Sequence, residues 1–345
     1  MTHSVDVDRL VLFDTTLRDG LQTPGARISD DDHLAIGLAL EAAGVDVIEV
    51  GIASKPAVFA RNQVLAQDSS RSVICALTRA IESEIHLAAE SVKTAQDRAR
   101  LHVFIATDPV HMRDKLRRSP QQVLQQAQES VRLAASLVPH VEASPEAATT
   151  SVYAYLCAVV RAMIEAGAKT INIPDTKGYC VGRQYGDLLR QLQVDVPELA
   201  SVTLSAHCHN DHGLATSNTL DAICSGARQV ECTVGGIGER AGNTALEEVL
   251  FAIHQHSDLF KVTHGFDLSR LHDLSTQVVS ATGIVLQSHK AVVGKNAFTH
   301  ESGIHQDGMI KNSHTYELCD PAIVGATSRL TQGPLSGRAG AAICD

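Results

Sequence analysis

The chain has no tryptophan, and aromatic residues make up only 3% of its 345 positions. Hydrophobic residues reach 44%, so a sizeable core is available and it must be largely aliphatic. Excess positive charge is also lacking: 29 Lys and Arg stand against 39 Asp and Glu, a net of −10. Nucleic acid therefore meets no attracting field, although a local basic pocket for a small anion stays open. No apolar run approaches the roughly 20 residues that cross a bilayer. Residues 1–8 carry neither a basic nor an apolar export segment. The eight cysteines, Cys75, Cys157, Cys180, Cys208, Cys224, Cys232, Cys319 and Cys344, form no C-x-x-C pair. In a chain of this length they read as reduced thiols. These absences predict a cytoplasmic protein with no nucleic acid and no membrane among its partners. No Gly-rich phosphate fingerprint follows the first strand, which counts against an open dinucleotide-binding sheet.

What is present is alternation. Short β-branched runs at 9–15, 45–50, 72–77, 101–106, 140–144, 170–173, 202–206 and 229–234 read as strands. Helical patterns follow them at 33–43, 57–66, 81–95, 119–137, 151–166, 184–192, 214–225 and 244–254. Ser119-Pro120 is a cap residue followed by proline at the first helical position. Strands alternating with helices imply parallel pairing with right-handed crossovers. Eight such units in about 250 residues predict a closed α/β (β/α)8 TIM barrel over residues 1–258. Residues 259–345 form a C-terminal extension. It has another helix at 268–282, a Gly- and His-rich stretch at 294–307 and a loop-like ending from Gly333.

Catalytic groups in such a barrel sit at the C-terminal ends of the strands. Nearly every strand here ends in charge or polarity: Arg18 and Asp19, Glu49, Thr78 and Arg79, Asp108, Ser144 and Glu146, Asp175, then His207 and His209. Two histidines at i and i+2 share one side of a strand, so both can reach one ion. Cys208 between them faces the other way. Asp19, His207 and His209 offer a carboxylate and two imidazoles with positions left open, and Asn243 could add a carbonyl oxygen. Such a set fits Mg²⁺, Mn²⁺ or Zn²⁺ without choosing among them. The open positions could chelate a 2-oxo acid and polarise its ketone, with Arg18 stabilising the developing alkoxide.

Five motifs, in order, carry a family resemblance: LFDTTLRDG at 12–20, NIPDTKG at 172–178, HCHNDHGLATSNTL from His207, GGIGERAGN ending at Asn243, and FTHESGIHQDG at 298–308. The chain resembles the 2-isopropylmalate synthase and homocitrate synthase family from about Leu10 to Arg338. These are metal-dependent Claisen-condensing TIM barrels. The resemblance implies that Asp19, His207, His209 and Asn243 hold a divalent metal (Mn, Mg or Zn) and that acetyl-CoA is co-substrate. Arg18 lies beside the substrate ketone. Gln22, Glu49, Leu77, Ser144, Glu146 and Thr176 belong with the 2-oxo acid. Glu239 is near acetyl-CoA. His305 and Tyr316 reach, in relatives, into the active site of a partner subunit, which implies a homodimer. His305 is the first candidate for the general base and Glu239 the second.

Within the family, GIHQDG at 303–308 and LHVFIAT at 101–107 look like the isopropylmalate subgroup. Leu77 on strand three and the acidic Glu142 on strand five suit an apolar substrate such as 2-oxoisovalerate. Departures include Leu21 in place of a polar residue, Ser144-Pro145-Glu146-Ala147-Ala148 without the usual Asp and Arg, and Pro334 where Lys is common. The sequence stops where relatives continue into a leucine-binding regulatory domain, which is expected of either a short, feedback-insensitive member or a fragment. These features keep homocitrate, citramalate, benzylmalate and other alkylmalate synthases in view, with a metal-dependent aldolase or lyase and a non-catalytic 2-oxo-acid-binding homologue as further alternatives. His254, His256, His264, His272 and His314 read as surface residues. The run Arg113 to Arg118 reads as a solvated helix face rather than a phosphate site.

Overall fold

The computed structural model describes residues 8–334 and 336. The readings made on residues 1–7, on Cys344 and on the tail from Gly337, with Arg338 at the end of the resemblance, lie outside the described residues. Eight strands, β1 (Val11–Asp14), β2 (Val47–Val50), β3 (Val73–Arg79), β4 (Ala99–Ala106), β5 (His140–Glu146), β6 (Thr170–Asp175), β7 (Thr203–Cys208) and β8 (Gln229–Cys232), close into a barrel. Every neighbouring pair is parallel, and β8 pairs with β1 to complete the ring.

Several strands run further at their C-terminal ends than their apolar runs suggest. Pattern reading stops β5 at Ser144 and β6 at Ile173, because Pro145, Glu146, Pro174 and Asp175 follow. The ladder continues nonetheless: Ala106 pairs with Glu146 and Pro174 with His207. The polar ends of the strands are therefore held as rigidly as their apolar middles, which suits a site built on them.

Between the strands come α1 (Asp30–Ala43), α2 (Pro56–Asp68), α3 (Glu82–Val92), α4 (Pro120–Leu137), α5 (Tyr153–Glu165), α6 (Gln184–Asp195) and α7 (Ala215–Cys224), with α8 (Leu246–Gln255) after β8. Helix α1 starts before its first apolar residues, because the Ser29 hydroxyl accepts from Asp32 N and three acidic residues occupy the first turn. Ser119 and Gln122 form a capping box on α4. Gly44 ends α1 at φ 100°, and a Cβ there would lie 2.2 Å from the Gly265 carbonyl oxygen.

The layer between barrel and helices is aliphatic, as the composition requires. Outward-facing Leu12, Ile48, Ile74, Leu101, Val103, Ile171, Ile173 and Val230 are all fully buried there. Each such side chain contributes about 1.5–3 kcal/mol. The barrel interior differs. It holds one small apolar cluster, Phe13, Val47 and Cys75 with Val11 and Val73. Much of the remainder is polar or charged: Glu49, Arg100, His102, Glu142, Gln229 and Glu231.

After the barrel, Val262–Thr263 pairs with Asp8–Arg9, and the helix Leu271–Thr282 packs its Leu271, Leu274 and Val278 into the outer core. The Gly- and His-rich stretch is more ordered than its composition suggests. Thr299–His300 pairs with Arg329–Leu330, and Gly303–Lys311 is a helix. That helix buries only Gln306 and Met309, so it carries no apolar period that a sequence reading could detect.

Candidate active site

A cavity of about 290 Å³ opens at the C-terminal ends of the strands. Ile52, Leu77, Phe104 and Pro174 supply apolar wall, while Arg18, Asp19, His102, Ser144, Asn172, His207, His209 and Glu231 supply polar wall. Its volume is at the low end for a small-molecule site.

Asp19, His207 and His209 present donor atoms that all lie within 4.8 Å of one another. Asp19 sits in the turn after β1, where its N–H donates to Thr15 Oγ1. Register sets the histidines. His207 stands opposite Glu231 across β7 and β8, and the two make a 2.8 Å contact through Nδ1 and Oε2. With Nδ1–H given to Glu231, Nε2 of His207 keeps a free lone pair. That nitrogen lies 3.1 Å from His209 Nε2, which is 4.0 Å from Asp19 Oδ2. Burial pushes both histidines down to about 4, so both are neutral near pH 7. Burial opposes ionisation of Asp19, but Arg18, then His207 and His209, hold it well below the usual carboxylate range.

Asn243 donates through Nδ2 to Asp19 Oδ1 at 2.8 Å and to Ile237 O at 3.1 Å. Its own Oδ1 is buried without a hydrogen-bond partner. Gly238 permits this approach: a Cβ there would fall 2.1 Å from Asn243 Nδ2. An ionised carboxylate and two neutral imidazoles converge here, and the Asn243 amide that donates to Asp19 keeps an unused carbonyl oxygen. The donor set fits a divalent cation.

Beneath this cluster lies the network that fills the barrel. Glu49 accepts from Arg18 Nε and from Thr15 Oγ1, both at 2.6 Å, and meets His102 Nδ1 at 2.9 Å. Glu142 takes Gln229 Nε2 at 2.7 Å and Arg100 Nη1 at 3.2 Å. Burial alone would strip the proton from His102, but Glu142 and the bond to Glu49 raise it to about 9. Its Nε2–H then donates to Ser144 Oγ at 2.6 Å, which also accepts from Asn172 Nδ2 at 2.9 Å. The hydroxyl hydrogen of Ser144 is thereby left for the cavity. The candidate metal groupings of His102 with Glu49 and Cys75, or with Glu142 and Glu231, belong to this network and are occupied by its hydrogen bonds and ion pairs.

A raised folded value means that the imidazolium of His102 adds stability in full below about pH 6.5, and that this is lost as pH rises through about 9. Nitrogen NMR of histidine-labelled protein is expected to show one ring, removed by His102→Gln, that keeps both protons up to about pH 9. Titration of that ring at or below 6.5 would contradict the network.

The sequence-expected residues distribute as follows. Arg18, Gln22, Leu77, Ser144, Glu146, Thr176 and Glu239 line the cavity with Asp19, His207 and His209. Glu49 lies behind Arg18, and Asn243 lies beside Asp19. His305 and Tyr316 stand elsewhere. Their ring centroids lie 4.1 Å apart on the extension, tilted by 36°, and every residue lining the cavity comes from position 240 or earlier. Cys208 turns away from the site into the outer core.

Glu142 does not line the cavity, so its sign does not bear on the substrate as its strand position suggests. Strand alternation puts it inward with Ser144 but one step deeper, against Arg100 and Gln229. Residues that strand-end reading passes over include His102, Phe104, Asn172, Glu231 and Lys115. For His102 and Phe104 the usable signal is alternation along β4. Lys115 belongs to the run read as a solvated helix face. It sits on a π-helical turn, His111–Leu116, and its Nζ lies 2.8 and 3.0 Å from the Glu146 oxygens at the cavity rim.

Residues 9–278 match the HMGL-like family model, and residues 292–343 match the homocitrate synthase post-HMGL domain-like model. The chain is 46% identical over 333 residues to a 2-isopropylmalate synthase of Nitrosomonas eutropha, and 48% identical over 334 residues to one of Paracidovorax citrulli. Both alignments cover 96% of this chain and 65% of the relative, so the chain spans about two thirds of the length of these relatives. Hydroxymethylglutaryl-CoA lyase from Pseudomonas aeruginosa shares the fold, with a TM-score of 0.66 at 22% identity, over 79% of this chain and 93% of that one.

Proposed function

The chain belongs to the HMGL-like family, and on that premise we propose that it condenses acetyl-CoA with a 2-oxo acid, 2-oxoisovalerate in the first place, to give 2-isopropylmalate and free CoA. The observation that carries this reading is the convergence of Asp19, His207 and His209 beside Arg18, at the edge of the apolar wall of Ile52, Leu77 and Phe104. The relatives named 2-isopropylmalate synthase support it.

A divalent Mn, Mg or Zn ion held by Asp19, His207 and His209, with Asn243 as a further donor, would supply Lewis-acid polarisation of the ketone. Arg18 is fixed by Glu49 through Nε and by Asp19 through Nη1, which leaves Nη2 for the ketone oxygen as it gains charge. Ser144 and Thr176 orient the 2-oxo acid. Thr176 Oγ1 accepts from Ala147 N, so its hydroxyl hydrogen, like that of Ser144, is free to donate. Leu77 meets the branched side chain, and Gln22 and Glu146 stand at the rim. A base removes a methyl proton of the acetyl group, the new carbon–carbon bond forms at the ketone carbon, and the ketone π pair becomes the alkoxide. Water then adds to the thioester and the thiol leaves. His305, with Tyr316 beside it, is the base of choice, delivered by the second copy of a homodimer; Glu239 at the cavity is the alternative. Residues 1–258 act as the catalytic barrel and 259–345 as the extension, in the cytoplasm, where the free thiols fit a reducing setting.

His102 at the cavity keeps a second reading in play, in which a dicarboxylate such as 2-oxoglutarate is taken. The charge of His102 is already met by Glu49 and Glu142, which favours the apolar substrate. The test is thiol release from acetyl-CoA against a panel of 2-oxo acids with each metal added. Turnover is expected to be highest with 2-oxoisovalerate. A higher rate with 2-oxoglutarate would reverse the substrate assignment, and oxo-acid binding without thiol release would identify a non-catalytic homologue.

A further inference from the structure

The mouth cavity is too small for a nucleotide, so the phosphate-bearing end of a CoA thioester must rest outside it. We propose that the cationic rim segment 111–118 docks that end, with Arg117 and Arg118 on the phosphates and Lys115 at the entrance. The assignment rests on the acetyl-CoA reading above and names where the co-substrate is held.

Position is the first argument. Lys115 lines the cavity, and the same segment walls a second hollow of about 500 Å³ with Arg113, Arg117, Arg118, Pro109, Met112 and Pro120. Arginines around a proline and methionine floor suit an adenosine carrying phosphates. Charge is the second. Within a chain of net −10, residues 113–118 carry four cations and one anion. Several other cations are engaged: Arg18 with Glu49, Arg240 with Asp211, Lys177 with Asp108 and Lys290 with Glu247. Within the segment, Arg113 is held by Asp114 and Lys115 by Glu146. The side chains of Arg117 and Arg118 are exposed and make no hydrogen bond or ion pair to any other described residue.

Backbone is the third argument. The π-helical turn closes on Arg117 at φ 53° and ψ 45°, a left-handed conformation that L side chains seldom adopt. Both following amides, of Arg117 and Arg118, donate to Met112 O. Asp108 pins the base of the turn, accepting from the Val110 and His111 amides, from Thr150 Oγ1 and from Lys177 Nζ. The segment is thus a fixed projection beside the mouth rather than a regular helix face.

Calorimetry with coenzyme A and with adenosine 3′,5′-bisphosphate tests this on the full chain. R117A/R118A is expected to weaken both ligands by at least about ten-fold and to raise KM for acetyl-CoA alike, with KM for the 2-oxo acid unchanged. A control, K93A/R132A, removes two exposed charges near the opposite end of the barrel, where α3 and α4 lead back into strands. It should change neither value. Unaltered CoA affinity in R117A/R118A, alongside thiol release by the unmodified chain, overturns the docking site alone. A rise in KM shared by the 2-oxo acid overturns it too. If the unmodified chain neither binds CoA nor releases thiol, the acetyl-CoA reading falls with it.

Discussion

His207→Ala is expected to abolish stoichiometric binding of divalent metal and to lower thiol release by more than about a hundred-fold. Loss of an outer hydrogen-bond partner of a ligand typically costs 10–100-fold, so loss of the ligand itself must exceed that. His207 Nε2 faces His209 at 3.1 Å, and its other nitrogen is anchored on Glu231 at 2.8 Å, so the imidazole is held with one nitrogen toward the cluster. Equilibrium dialysis with atomic absorption reads the metal, and circular dichroism reads the fold. A folded variant that keeps one metal per chain and turns over normally would remove His207 from the site.

Glu49→Ala is expected to cost about 3–5 kcal/mol of stability, the usual result of leaving buried charges without their partner. Glu49 is fully buried, and it serves both Arg18 and His102. Burial opposes its ionisation, yet Arg18 and then the bond to His102 hold it below the usual glutamate range. A depressed value means that its contribution is fully present above about pH 4.5 and disappears as pH falls through the folded value. Urea unfolding should therefore show a wide gap between the two proteins at pH 7 and a narrowing gap in acid. A difference below about 1 kcal/mol at pH 7 would show that Arg18 and His102 are satisfied by other means.

The barrel was legible because its repeat is local. Each strand is a short β-branched run and each helix a separate pattern, so eight units could be counted without knowing their pairing. Asp19, His207, His209 and the strand-end polar residues were legible for the same reason. The charged interior was not. Arg100, Glu142, Gln229 and Glu231 come from three strands, and only register brings them together; alone in its strand, each resembles a solvated residue. The closed ring converts that spacing into contact, pairing His102 with Glu142 and His207 with Glu231. The π-helical form of the turn at 111–116 was not legible for a different reason. A π-helical turn differs from an α-helical one by a single step in hydrogen-bond partner, and composition does not report that step.

The self-balanced interior also sets terms for anyone who would redesign the substrate range. His102 is the obvious residue to trim for a larger acid, yet its charge is shared with Glu49 and Glu142, and Glu49 in turn aims Arg18. Single-site libraries at this floor would mostly sample broken charge pairs. Variants that exchange His102 together with one of its carboxylate partners, keeping the local sum of charge constant, sample pocket shapes instead. The unit of change in this barrel is a pair of residues on neighbouring strands.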